Sequence, residues 1–247
     1  MGEVLVVTSG KGGTGKTTLC AGLASCLAAM GQRVLAIDCD IGLSNLDIAL
    51  GMTDCATVSF LDVMMENQYL PDAPVHPVIP GLQLLTAPSK TRAGLVDDII
   101  FGRLIEEAAE TYDWVLLDAP AGIGFGFDLA AAYATRAIIV STPDAAALRD
   151  GQHTASILLQ KGLDPVELVV NRVSRRLLGS LRSSIDDIMD SIGLPLLGLI
   201  PEDQNVPVSA TQGNALVLRS RKGAAVACLH ISRRLLGMEA PLMHMRF

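Results

Sequence analysis

The chain has 247 residues, half of them apolar and only 4% aromatic, with a formal net charge of −7, so a large core of aliphatic side chains is expected. Five cysteines without a Cys-x-x-Cys pair argue against a disulfide framework and against a zinc or iron–sulfur site within one chain. The apolar runs are too interrupted to span a membrane and the start lacks a signal peptide, so a cytoplasmic protein is expected.

A phosphate-binding loop is the first predicted feature, between a buried strand at residues 4–8 and an apolar-faced helix at 19–30. It reads Gly10-Lys11-Gly12-Gly13-Thr14-Gly15-Lys16-Thr17-Thr18 and fits G-x-x-x-x-G-K-[ST]. Glycines let the backbone bend around a polyphosphate, and the start of the helix adds positive charge. We expect Lys16 to neutralise the β- and γ-phosphates and Thr17 to bind Mg²⁺. The flanking elements disfavour the alternative of a simple glycine-rich turn.

Acidic residues follow two further predicted strands. The strand at residues 33–38 leads into Asp38 and Asp40, in a loop rich in Asp, Asn and Gly. This loop is either an ordinary Asx turn or a switch that senses the γ-phosphate. The strand at 112–118 ends in Asp118, which we expect to project toward the Mg²⁺ of a bound nucleotide rather than merely to cap a turn.

The remaining segments alternate between the two element types. Strands are predicted at 81–86, 136–142, 166–171 and 194–200, and helices at 59–66, 97–110, 145–162, 178–192 and 224–236. This alternation predicts an α/β fold, a doubly wound and mainly parallel sheet with helices on both faces and the ligand at the carboxyl ends of the strands. Since no repeat or linker is visible, we expect a single domain over residues 1–241 and a short tail over 242–247.

With these residues in view, the chain resembles the deviant-Walker-A ATPases, the MinD/ParA family of P-loop NTPases, and most of all their septum-site-determining MinD members. The distinguishing residue is Lys11, a second lysine early in the P-loop. The resemblance extends from Glu3 to about Pro241. It implies an ATP-dependent homodimer that hydrolyses Mg-ATP slowly and acts as a switch in division-site placement. It also implies a MinC-like inhibitor and an ATPase-stimulating protein as partners.

The resemblance also implies roles for single residues. The implied catalytic residues are Lys11, Lys16 and Asp40, with Asp40 orienting the attacking water. Lys11 would reach across the dimer to the partner's phosphates, and in a single chain we expect it to have no role. Thr17, Asp38 and Asp118 would support the metal. The adenine would be framed by Asn171 and by the turn of Pro201, Glu202 and Asp203.

Departures from the family pattern affect the partners. Ser44 stands where an arginine is common, and Gly124-Phe125 replaces a polar pair. The tail after Pro241 is shorter than the family's amphipathic helix, so we expect only weak, ATP-dependent contact with the inner face of the cell membrane.

The main alternative within the fold is a ParA-type partition ATPase, whose ATP dimer binds DNA nonspecifically. Residues 172–247 hold 10 Lys and Arg against 6 Asp and Glu, whereas residues 1–171 hold 9 against 20. That basic end permits an anionic partner, although a solvated surface explains it equally well. The overall negative charge makes DNA an unexpected partner. Two other functions are disfavoured. An iron–sulfur carrier would need paired cysteines, and a small-molecule kinase or ligase would need a polar substrate pocket; the sequence indicates neither.

Overall fold

The structure, a computed structural model, describes residues 1–243. Within them seven strands form one sheet. The strands are β1 (Glu3–Thr8), β2 (Val34–Asp38), β3 (Leu82–Leu85), β4 (Trp114–Asp118), β5 (Arg136–Ser141), β6 (Val166–Val173) and β7 (Leu196–Pro201). Their order is β3-β2-β4-β1-β5-β6-β7, and all six pairings are parallel. The predicted fold class is confirmed.

In the part of the chain that the structure describes, eight α-helices lie between the strands, and three more follow β7. They are α1 (Lys16–Ala29), α2 (Leu46–Leu50), α3 (Phe60–Met64), α4 (Asp98–Thr111), α5 (Phe125–Ala132), α6 (Ala145–Gln160), α7 (Arg175–Leu181), α8 (Ile185–Ile192), α9 (Asn205–Thr211), α10 (Leu216–Arg219) and α11 (Ala224–Leu235). None of the helices in residues 1–243 is long and apolar enough to cross a membrane.

Strand β1 shows how the sheet divides the core. Val4 and Val6 belong to one buried apolar cluster, and Leu5 and Val7 belong to a second one. Successive side chains of a strand point to opposite faces, so the two clusters lie on opposite sides of the sheet. Helix α1 contributes to the second cluster and α4 to the first. Burial on both faces explains why the strands read as continuous apolar runs.

The topology places the functional loops together. In the strand order, β2 lies on one side of the β1–β4 pair and β5 lies on the other. The chain therefore leaves β1 toward one edge of the sheet and leaves β4 toward the opposite edge. β1 and β4 are neighbours, so the loops that follow them diverge and leave a crevice at the carboxyl ends of the strands. The P-loop follows β1 and Asp118 ends β4, which brings the two predicted site elements to the same crevice.

One helix prediction was wrong in detail. The predicted helix at 178–192 is two helices, α7 and α8, interrupted at Arg182, which adopts a left-handed conformation with φ 49°. Ser184 then starts α8 through a capping box, since its hydroxyl accepts from the Asp187 N–H and the Asp187 carboxylate accepts from the Ser184 N–H. These reciprocal bonds satisfy N–H groups that a new helix leaves unpaired. Helices α2, α5, α9 and α10 were not predicted.

The last described residues fold back on the edge strand β7. The Arg234 guanidinium donates to the carbonyl oxygens of Ala240, at 2.8 Å, and Leu197, at 2.5 Å, which fixes residue 240 beside β7. Leu242 is exposed and Met243 packs against the core. The rest of the predicted tail, residues 244–247, lies outside the described part of the chain.

Candidate functional site

The P-loop lies between β1 and the start of α1. Gly13 and Gly15 have φ angles of 79° and 95°, which residues with a Cβ atom rarely adopt. Lys16 is buried, with 8% of its surface exposed, although a lysine normally keeps its ammonium group in water. A buried cation at the N-terminus of a helix favours an anionic ligand at this position.

Asp38 organises the loop that follows β2. Its Oδ1 accepts from the Asp40 N–H at 2.9 Å, and its Oδ2 accepts from the Ser44 hydroxyl at 2.8 Å and from the N–H groups of Asn45 and Leu46 at 3.0 and 3.1 Å. Burial raises the pKa of Asp38, and these hydrogen bonds oppose the shift. The carboxylate therefore fixes the conformation of the loop that carries Asp40. Ser44, which sequence reasoning treated as a departure, has a structural partner.

Asp118 lies beside Asp38, since the two residues are paired in register at the ends of β4 and β2. It is 1% exposed, and its Oδ1 has no hydrogen-bond partner among residues 1–243. Burial, and then the charge of Asp38, raise the pKa of Asp118 to about 7, while a hydrogen bond from Thr17 acts to lower it. An orphaned buried oxygen next to the P-loop hydroxyl fits a site for Mg²⁺, which prefers oxygen ligands and water.

Asp40 is half-buried near the same group of charges. Burial, and then the charge of Asp38, raise its pKa, and the charge of Lys16 opposes the shift. The structure thus brings together two of the three predicted catalytic residues, Lys16 and Asp40, with the predicted metal-supporting residues.

Lys11 has a contact that sequence reasoning missed. Its Nζ lies 2.7 Å from Oδ1 of Asp144, so the expectation that it has no role in a single chain is wrong. Asp144 also accepts from the Thr142 hydroxyl, at 2.6 Å, and from the Ala147 N–H, at 3.1 Å, where it caps α6. Burial acts to raise its pKa, but the hydrogen bonds, first that from Lys11, lower it to about 2. The residues are distant in sequence and meet because β1 and β5 are neighbours.

A cavity of about 360 Å³ adjoins the end of the P-loop. Its lining includes Gly15, Thr18, Asn171, Arg172, Pro201, Glu202 and Asp203. The residues predicted to frame a base therefore do surround one space. The Asp203 carboxylate makes hydrogen bonds within the protein: it accepts from the backbone N–H groups of Asn205 and Ala224, each at 2.9 Å. Its side chain stabilises the turn and the start of α11.

Comparison with known proteins agrees with this geometry. Residues 5–217 match the family described as the CobQ/CobB/MinD/ParA nucleotide binding domain. The chain belongs to the MinD/ParA family. It is 35% identical to the septum site-determining protein MinD of Synechocystis over 246 residues, which covers 98% of this chain and 92% of the relative.

Solved structures of the MinD/ParA family are also similar. The MinC:MinD cell division protein complex of Aquifex aeolicus matches with a TM-score of 0.89 and 33% identity, over 98% of both chains. MinD of Pyrococcus horikoshii, complexed with Mg-ADP, matches with a TM-score of 0.84 and 28% identity, over 95% of this chain and 96% of that one. This member of the MinD/ParA family is a MinD-like septum-site-determining ATPase, and the ParA-type alternative is less supported.

Proposed function

We propose that the protein is an ATP-driven switch that dimerises when it binds ATP, hydrolyses Mg-ATP slowly, and is stimulated by a partner protein. The observation that carries the proposal is the convergence of a buried lysine, an orphaned buried carboxylate oxygen and a base-sized cavity at one end of the sheet. These features match the three parts of a metal-bound nucleotide, which are the phosphates, the cation and the base.

ATP and Mg²⁺ are the proposed ligands, in line with the Mg-ADP of the Pyrococcus horikoshii relative. The P-loop amides and Lys16 would hold the phosphates, and Thr17, Asp38 and Asp118 would hold the metal directly or through water. Bound Mg²⁺ would neutralise charge on the phosphates. Asp38, whose four hydrogen bonds fix the loop after β2, would transmit the state of the site to Asp40. Asp40 would orient the attacking water.

Lys11 is the proposed link between two protomers. Its partner in the single chain, Asp144, is partly exposed, as is the lysine, with side-chain exposures of 47% and 35%. A pair this exposed contributes at most about 1 kcal/mol. A triphosphate on the partner subunit offers a larger negative charge, so Lys11 can exchange one anionic contact for another. The γ-phosphate adds negative charge, so the exchange is more favourable with ATP than with ADP.

The proposed partners follow from the same relatives. We propose a MinC-like inhibitor as a ligand of the ATP dimer, because MinD of Aquifex aeolicus is found in complex with MinC. An ATPase-stimulating protein is the second proposed partner. We place the dimer at the periphery of the inner face of the cell membrane, reached through the tail over residues 242–247, and we do not propose DNA as a partner.

The direct test of the switch is ATP hydrolysis combined with sedimentation. Lys16→Ala should abolish Mg-ATP hydrolysis, whereas Lys161→Ala, a matched control whose lysine pairs with Asp128, should retain it. In parallel, the wild type is sedimented with anionic liposomes and mixed with duplex DNA, in ATP and in ADP. ATP-dependent pelleting with liposomes supports the proposal. Salt-sensitive, ATP-dependent DNA binding without liposome binding would contradict it and favour the partition function.

A further inference from the structure

Asn171 contacts the phosphate loop as well as the base cavity. Its side-chain Nδ2 donates to the Thr14 carbonyl oxygen at 2.7 Å, and its Oδ1 accepts from the Arg172 N–H at 2.8 Å. The residue is buried, with 8% of its surface exposed. One backbone acceptor and one backbone donor fix the orientation of the amide, because the reversed amide would place like groups against each other. The family resemblance assigned Asn171 to the adenine alone.

Asn171 lies on the α1 side of the sheet, next to a local distortion of β6. The pairing of β6 with β7 shifts in register between Val170 and Val173. Within that interval Arg172 adopts a left-handed conformation, with φ 56°, although it is not a glycine. Val169 belongs to the cluster to which α1 contributes, so the alternation of β6 places Asn171 on the same side of the sheet as α1 and the P-loop. After the distortion Val173 belongs to the opposite cluster, so the distortion begins where Asn171 meets the P-loop.

The P-loop in turn has a glycine where the amide approaches. A Cβ on Gly15 would lie 2.2 Å from Nδ2 of Asn171, closer than two such atoms can come. Gly15 also has φ 95° and stands at the N-terminal cap of α1. The glycine of the phosphate-binding motif thus meets two requirements, the backbone angle and the clearance for the Asn171 amide.

The peptide that joins Thr14 to Gly15 connects these observations to phosphate binding. In a planar trans peptide the carbonyl and the N–H point in opposite directions. When Asn171 holds the Thr14 carbonyl on the side of β6, the Gly15 N–H must point the other way. We propose that Asn171 is a positioning residue for the phosphate loop, which directs the Gly15 N–H toward the bound polyphosphate. The inference rests on the proposed function and deepens it, because the same side chain also lines the base cavity.

The test separates phosphate binding from base binding. Displacement of a fluorescent ATP analogue is measured with inorganic tripolyphosphate, which has no base, with adenosine, which has no phosphate, and with ATP. Asn171→Ala, and Asn171→Leu, which keeps the volume but has no donor, should weaken tripolyphosphate binding about tenfold, the effect of losing one well-placed hydrogen bond. The affinity for ATP should fall by a larger factor than the affinity for adenosine. Asn214→Ala is the matched control, since Asn214 is exposed and also donates to a backbone carbonyl, that of Gln212.

The results distinguish this inference from the proposed function. The inference is wrong if both Asn171 variants bind tripolyphosphate as tightly as the wild type. It is also wrong if their affinities for ATP and for adenosine fall by the same factor, because Asn171 would then contact only the base. If the wild type binds no ATP, the proposed function itself fails. Thermal melting of each variant without ligand checks the fold, and a variant that melts as the wild type does while losing tripolyphosphate supports positioning.

Discussion

Replacing Asp118 by Asn is expected to stabilise the nucleotide-free protein above pH 7 and to impair its Mg²⁺-dependent hydrolysis. The carboxylate is buried at the end of β4, one of its oxygens has no partner in the described part of the chain, and Asp38 lies beside it. In the absence of a metal these features disfavour the ionised form. Asparagine has nearly the same shape without the charge, and its carbonyl oxygen can still accept from Thr17.

The magnitude follows from the pKa of Asp118. Burial, followed by the charge of Asp38, raises it from 3.8 to about 7, and a shift of about three units corresponds to about 4 kcal/mol. Because the pKa is higher in the folded protein, the stabilisation is fully present below pH 3.8 and is lost as the pH rises through 7. Between pH 5.5 and 8 the wild type should lose about 2 kcal/mol relative to Asp118→Asn.

The assay is urea unfolding at pH 5.5 and 8, with EDTA and without nucleotide. The stability gain of Asp118→Asn should grow by about 2 kcal/mol between the two pH values. Asp54→Asn, at an exposed position, serves as the control and should show no such change. Hydrolysis of Mg-ATP by Asp118→Asn should fall roughly 10- to 100-fold, the usual effect of losing a residue that supports a metal. A stability difference that is the same at both pH values would refute the reasoning.

Four further substitutions test other parts of the site and the fold. Lys16→Ala should abolish tight nucleotide binding while Asp40→Ala keeps it and loses turnover, as measured by nucleotide titration and phosphate release; wild-type turnover in Asp40→Ala would refute its role. Asp144→Asn keeps an N-cap on α6 and frees Lys11, so ATP-dependent dimerisation should rise by up to about fivefold in ultracentrifugation. An unchanged or weaker dimer would contradict this. Burial lowers the pKa of His76 from 6.5 despite its bond to a backbone carbonyl, so stability should fall as the pH drops through 6.5. The melting temperature of His76→Gln should change less with pH than that of the wild type. If both melting temperatures change equally with pH, His76 is not the cause of the pH dependence.

Most of the sheet could be predicted because its strands carry their own signal. Strands buried on both faces read as short apolar runs, and all seven were located from them. The P-loop was equally clear, since its glycines and lysine stand between a strand and a helix. Helix α5 was missed because Gly124 and Gly126 stand at its start, where glycine signals a turn. The break between α7 and α8 could have been predicted, because the spacing of Ser184 and Asp187 is that of a capping box at the start of a helix.

The contacts within the site could not be predicted from the sequence. Lys11 and Asp144 meet only because β5 pairs beside β1, and no local pattern near either residue indicates the other. Asn171 reaches Thr14, 157 residues away in sequence, because the strand order places β6 only one strand away from β1. The sequence identified which residue types the chemistry needs, whereas the strand order decides which of them touch.

The proposed switch depends on an ATP-dependent dimer, which a measurement of molecular mass can detect. Asp40→Ala, which should bind ATP without hydrolysing it, is examined by light scattering in ATP and in ADP, with and without Lys11→Ala added. We expect about twice the monomer mass of 26.0 kDa when Asp40→Ala binds ATP, and the monomer mass in ADP or when Lys11 is also replaced. Equal dimer content in ATP and ADP, or a dimer that persists without Lys11, would contradict it.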